Sequence, residues 1–81
     1  MVEHDSPIPV YVQVADVIAA RIKSGTLAKG KPIPSEASMV QEFGIARATA
    51  RHAVALLRER GLVYTVPQRG TYVGPAPEAR G

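Results

Sequence analysis

The run from Pro34 to Val73, PSEASMVQEFGIARATARHAVALLRERGLVYTVPQRGTYV, constrains this chain most. A short helical pattern ends at Gly44, and a second opens with Arg47 and Arg51 one turn apart. Two runs rich in β-branched and aromatic residues follow, joined by Pro67-Gln68-Arg69-Gly70. The order is helix, tight turn, helix, hairpin. It leaves bare arginines at the front of the second helix.

Length limits what can surround this run. Eighty-one residues make one small domain with a modest core, which disfavours a large catalytic cleft. The absence of cysteine excludes disulfides, thiolate metal sites and cysteine nucleophiles. No stretch approaches the roughly 18 apolar residues of a membrane span. Glu3 and Asp5 stand where a secretory signal would carry basic residues, so a soluble cytoplasmic protein with no membrane partner is expected. The net charge of +3 is unevenly spread. Between Gly44 and Val73, Arg47, Arg51, Arg58, Arg60 and Arg69 face Glu59 alone, whereas five basic residues face six acids elsewhere. Such a patch suits a polyphosphate, although a solvated basic face would look the same.

Residues 1–8 are polar and proline-broken and read as a loose arm, and residues 75–81 as a tail or linker. Residues 9–74 form the predicted domain. Helix 1 is expected from Val10 to Lys23, with Tyr11, Val14, Ala15, Ile18 and Ile22 on one stripe. Gln13, Asp16 and Lys23 take its wet side. Gly25 ends it. The connector to Pro34 is extended, with room for a short strand near Lys31–Ile33. Ser35 is a good N-cap for helix 2, and Glu36 suits the positive end of its dipole. Met39, Val40 and Phe43 form its apolar side, and Ile45 is buried in the turn. Ala50, Ala53, Val54 and Leu57 give helix 3 an apolar stripe up to Arg60 and Gly61. Leu62–Val66 and Thr71–Val73 make the hairpin. The whole is a mainly α fold with a small β-hairpin, a winged helix-turn-helix of three helices plus wing.

On a helix, Arg47 and Arg51 lie about 40° apart and one turn apart in height. Guanidinium groups can fork onto guanine O6 and N7 or grip phosphate oxygens. Ala48 between them is small enough for the helix to approach base edges, and its methyl could touch a thymine methyl. Thr49 could bond a phosphate or turn inward. His52 faces outward and could reach a phosphate or stay solvated. No acid stands four residues from either arginine on the same helix, which weakens the ion-pair alternative. Arg58 and Arg60 lie farther down and are assigned to pairing with helix 1 or to solvent. Arg69 at the wing tip can enter a narrow minor groove, and Gly70 lets the backbone come close. Tyr64 and Tyr72 are cross-strand packing residues. His4 and His52 are far apart, and phosphate-loop, zincin and nucleophile-elbow motifs are missing, so neither an enzyme nor a cofactor or metal site is expected. Duplex DNA is the partner this pattern favours. A winged helix used as a protein-interaction module is the alternative.

The matching pieces Pro9-Val10-Tyr11, Ser24-Gly25-Thr26-Leu27 with Gly30, Ile33-Pro34-Ser35-Glu36, Gly44 to Arg51, Leu57 with Arg58, Gly61-Leu62-Val63 and Arg69 to Val73 together resemble the N-terminal DNA-binding domain of the GntR family of bacterial transcription regulators. The resemblance covers about Ile8 to Val73. It implies a transcriptional repressor or regulator that binds a pseudo-palindromic operator as a dimer, with weak self-association without DNA. It implies contacts near Ser35 and Glu36, a recognition helix carrying Arg47, Thr49 and Arg51, and a wing at Arg69, Gly70 and Thr71. Three departures stand out. Ala37 replaces a frequent arginine, Ala46 a frequent serine cap, and Gln68 a frequent wing-tip glycine.

Overall fold

Three amphipathic helices and one hairpin must share a single core, because none can bury its apolar face alone. The computed structural model describes residues 2–75. The elements run α1 (Val10–Ser24), α2 (Glu36–Phe43), α3 (Arg47–Glu59), β1 (Val63–Val66) and β2 (Gly70–Val73). The expected winged helix-turn-helix is therefore the observed architecture. Val14, Ala15 and Ile18 of α1 meet Ala50, Ala53, Val54 and Leu57 of α3, with Met39 and Phe43 of α2 and Ile45 of the turn closing the core. The alanines on α3 let α1 lie close across it. Val63 and Val73 attach the hairpin to the same cluster.

Helix ends follow local chemistry. Ser35 caps α2 by accepting from the Ser38 backbone N–H at 3.0 Å. Gly44 ends α2 in the left-handed region, φ 64°, with its N–H on the Val40 carbonyl at 2.9 Å. That single residue turns the chain sharply enough to start α3 three residues later. Ala46 caps α3 with extended backbone but has no side chain to offer, so the first amides of α3 lack an intrachain side-chain acceptor.

The hairpin pairs Val63 with Val73, Tyr64 with Tyr72, Thr65 with Thr71 and Val66 with Gly70. Alternation sends Val63, Thr65, Thr71 and Val73 to one face and the stacked Tyr64 and Tyr72 to the other, as the cross-strand reading expected. The connector lies along β2. Gly30 N–H donates to the Val73 carbonyl, Val73 N–H to Lys31, and Ile33 N–H to Thr71, each at 2.9 Å. The strand anticipated near Lys31–Ile33 is thus present only as an isolated bridge at Pro32, which has no N–H to continue a ladder.

The segment 2–8 lies against the helices, with Val2 buried in the core cluster. Gln13, on the wet side of helix 1, fastens it at the surface. Its Oε1 accepts from Glu3 N–H at 2.7 Å, and its Nε2 donates to the carbonyls of Glu3 and Ile8, both at 2.8 Å. One amide side chain supplies both a donor and an acceptor here, which a charged residue could not. The tail read at 75–81 lies outside the described residues beyond Pro75.

Ion pairs tie helices to each other at the surface. Arg60 donates to Asp16 of α1 at 2.9 Å, the pairing with helix 1 that the sequence allowed. Arg21 of α1 grips Glu42 of α2 through both terminal nitrogens, while its guanidinium lies 5.8 Å from the Phe43 ring centre. The Arg21 hydrogen bonds hold the Glu42 carboxyl below the usual carboxylate range, partly offset by desolvation.

Two stability predictions follow from these ends and pairs. Ala46→Ser should stabilise the domain by about 1 kcal/mol by restoring the cap, read as a rise in Tm of about 4–8 °C. Glu42 has a depressed folded pKa, so its stabilisation is present above the carboxylate range and disappears as pH falls through it. Glu42→Gln should therefore be less stable at neutral pH by about 0.2–1 kcal/mol, given how exposed the pair is, and the gap should close in urea melts only as pH falls through the lowered Glu42 pKa, below the ordinary carboxylate range.

Candidate nucleic-acid interface

The candidate interface lies where α2 and α3 begin. The tight turn at Gly44 brings the first turn of α2 beside the first turns of α3. Glu36 thereby reaches both arginines: Oε1 lies 3.7 Å from Arg47 Nη1, and Oε2 lies 3.6 Å from Arg51 Nε. Both separations are too long for good hydrogen bonds. The carboxylate is a shared tether rather than a tight clasp. Side-chain exposure is 61% for Arg47 and 65% for Arg51 against 32% for Glu36, so the arginine heads remain open to a ligand while their acid sits behind them. A stronger, more concentrated anion such as a phosphate can replace so loose a partner.

The ion-pair alternative, which the sequence weakened for Arg47 and Arg51, is thus present in loose form. The sequence reading looked for a carboxylate four residues away on the same helix. The partner comes across the turn, from the helix before. Two positive charges share one negative charge, and the cluster stays cationic.

The remaining residues expected at the interface take several positions. Ser35 spends its hydroxyl on Ser38, accepting from its N–H and donating to its Oγ at 3.2 Å. Ala48 is exposed on α3 and Thr49 is half-buried. His52 is exposed, as the outward reading expected, but its ring is not free: it lies flat on Tyr11 of α1, with centroids 3.6 Å apart and planes 6° apart. Tyr11, placed on the core stripe of helix 1, thus serves as a platform at the edge of the core. Arg69 and Gly70 are exposed at the wing tip. The wing turn is closed by Arg69 N–H on the Val66 carbonyl at 3.0 Å. Gln68 itself adopts φ 64°, the left-handed conformation that the usual glycine would take, and Gly70 takes φ 136°. Thr71 is half-buried and 3.0 Å from Thr65 across the hairpin.

Electrostatics sort the arginines into two groups. Arg21, Arg47, Arg51 and Arg60 each have a carboxylate within 4 Å. Among the described residues, Arg58 and Arg69 have none. Arg58 instead donates to Thr65 of β1 at 3.0 Å, a contact with the wing that the sequence reading missed. Its spacing from Arg51, about two helical turns, was the available signal. Among the described residues no group of His, Asp or Glu side chains is arranged to hold a metal, and no helix is long and apolar enough to cross a membrane.

Comparison with known proteins agrees with this geometry. The profile of bacterial regulatory proteins of the gntR family matches residues 10–73. The chain is 40% identical over 72 residues to the HTH-type transcriptional repressor NagR of Bacillus subtilis strain 168, covering 89% of this chain and 30% of that protein. It is 38% identical over 65 residues to the mannosyl-D-glycerate transport/metabolism system repressor MngR of Escherichia coli K12, covering 80% and 27%. It therefore spans less than a third of the length of these curated relatives. Among solved structures it is similar to AraR(DBD) in complex with operator ORR3, with a TM-score of 0.80 and 34% identity over 91% of this chain and 89% of that one. From its fold, the arginine pair at the head of α3 and these likenesses, the chain belongs to the GntR family of bacterial regulatory proteins.

Proposed function

We propose that this chain binds double-stranded DNA in a sequence-specific way and acts in transcriptional repression. The observation that carries the reading is the exposed pair Arg47 and Arg51, held together by Glu36 at the front of α3. Support also comes from AraR(DBD), a similar structure solved in complex with an operator, and from the repressor names of NagR and MngR.

The N-terminal half of α3 enters the major groove. Arg47 and Arg51 fork onto guanine edges or the adjoining phosphates, and Ala48 leaves room for the helix to approach. Thr49 lies at the border of core and interface, where its hydroxyl can meet a phosphate. His52, oriented by Tyr11, stands beside the same strand. Ser35 and Glu36 flank the helix entry. Arg69 and Gly70 bring the wing to the minor groove, and Thr71 supports the tip from β2. Two copies on adjacent half-sites of a pseudo-palindromic operator would sit about 34–36 Å apart, the repeat of the duplex. Self-association without DNA is weak, and DNA aligns the pair.

A fluorescence anisotropy titration against duplexes selected from a random pool tests this reading. Arg51→Ala should cost about 1–3 kcal/mol on the selected duplex and flatten its preference over a scrambled one. Equal binding of all duplexes by the unaltered chain would refute sequence specificity. A flat response to DNA would favour a protein-docking role. Glu36→Gln should narrow the gap between selected and scrambled duplexes. It frees both arginines to grip any phosphate and removes a charge that repels the backbone.

A further inference from the structure

With α3 in the major groove and the wing tip in the minor groove, one sugar–phosphate strand separates the two. That strand has to pass over the protein surface between the C-terminal half of α3 and the inner face of the hairpin. Arg58 stands there. It lies about two turns beyond Arg51 and within roughly 20° of the same line along the helix. Its Nη1 donates to Thr65 Oγ1 at 3.0 Å, and Thr65 Oγ1 lies 3.0 Å from Thr71 Oγ1. Thr65 and Thr71 are register partners on the hairpin face that carries Val63 and Val73 into the core deeper down. Arg58 and Thr65 are exposed, and Thr71 is half-buried.

Charge singles this cluster out. Glu36 serves Arg47 and Arg51, and Asp16 serves Arg60. Among the described residues no carboxylate lies within 4 Å of Arg58, and its guanidinium is aimed by the neutral Thr65 hydroxyl, which Thr71 holds in turn. A guanidinium has further N–H donors beyond the one used here, and the Thr65–Thr71 pair keeps one hydroxyl proton free to donate to a phosphate oxygen.

We infer that Arg58, positioned by Thr65 and Thr71, is a phosphate clamp for the backbone strand between the two grooves. It is a contact zone separate from the helix head and the wing tip. This rests on the duplex-binding reading above.

The salt dependence of affinity tests it on one selected duplex and one scrambled duplex. Each neutralised phosphate adds about 0.9 to the slope of log K against log salt. Arg58→Gln should lower that slope by about 0.9, weaken both duplexes by the same factor and leave the melting temperature unchanged. Arg58→Lys should keep most of the slope. Thr65→Val, with the charge retained, should keep the slope and bind severalfold more weakly. A parental slope in Arg58→Gln would overturn the clamp and leave a strut between helix and wing. So would a loss of selectivity without loss of slope. An unaltered chain that binds neither duplex would overturn the functional reading and the clamp together, whereas an altered slope confined to other variants would overturn the clamp alone.

Discussion

The close contact of α1 on α3 is the constraint on which the rest of this molecule depends. Ala15 of α1 and Ala50 and Ala53 of α3 are fully buried, and their small side chains bring the two backbones near each other. Leu57 and Ile18 fill the space that remains. An enlarged alanine would push α1 outward, and its effects would spread. Tyr11 would leave His52, Asp16 would leave Arg60, and the head of α3 would lose its backing. A small domain has few other places to bury apolar area, so this seam also sets its stability.

On that seam the arginine-bearing head of α3 is held by weak forces rather than strong ones. Glu36 sits 3.6–3.7 Å from two exposed guanidinium groups. A tight bidentate salt bridge would have locked one arginine and left the other unguided. The looser arrangement narrows the range of both side chains while leaving their donors free. Arg21 and Glu42 show the contrast. There the pair is close and two-pronged, it joins α1 to α2, and it leaves Arg21 little to offer any ligand.

Much of this was legible in the chain itself. The helical stripes placed Val14, Ile18, Met39, Ala50 and Leu57 in the core, and Ser35 and Gly44 marked the limits of α2, because capping chemistry and periodicity are local signals. Contacts between elements were not legible to the same degree. Glu36 meets Arg47 and Arg51 only once the turn has folded. The stacking of Tyr11 on His52 and the reach of Arg58 to Thr65 likewise join residues that no single period connects. Residues 2–8 looked unstructured because Glu3, Asp5 and Pro7 interrupt any apolar period, yet Val2 is buried in the core and Gln13 hydrogen-bonds the segment. Gln68 was the opposite case. An unusual residue at a turn raised a question about geometry, and the chain takes the left-handed conformation without the glycine.

The base of the hairpin has a mechanical consequence. Gly74 is buried and its amide is bound to the Leu62 carbonyl at 2.8 Å, directly after Val73 is fixed between β1 and the connector. A displacement of Gly74 would therefore be felt at once at the base of the hairpin, through the Leu62 carbonyl and the bonds that hold Val73.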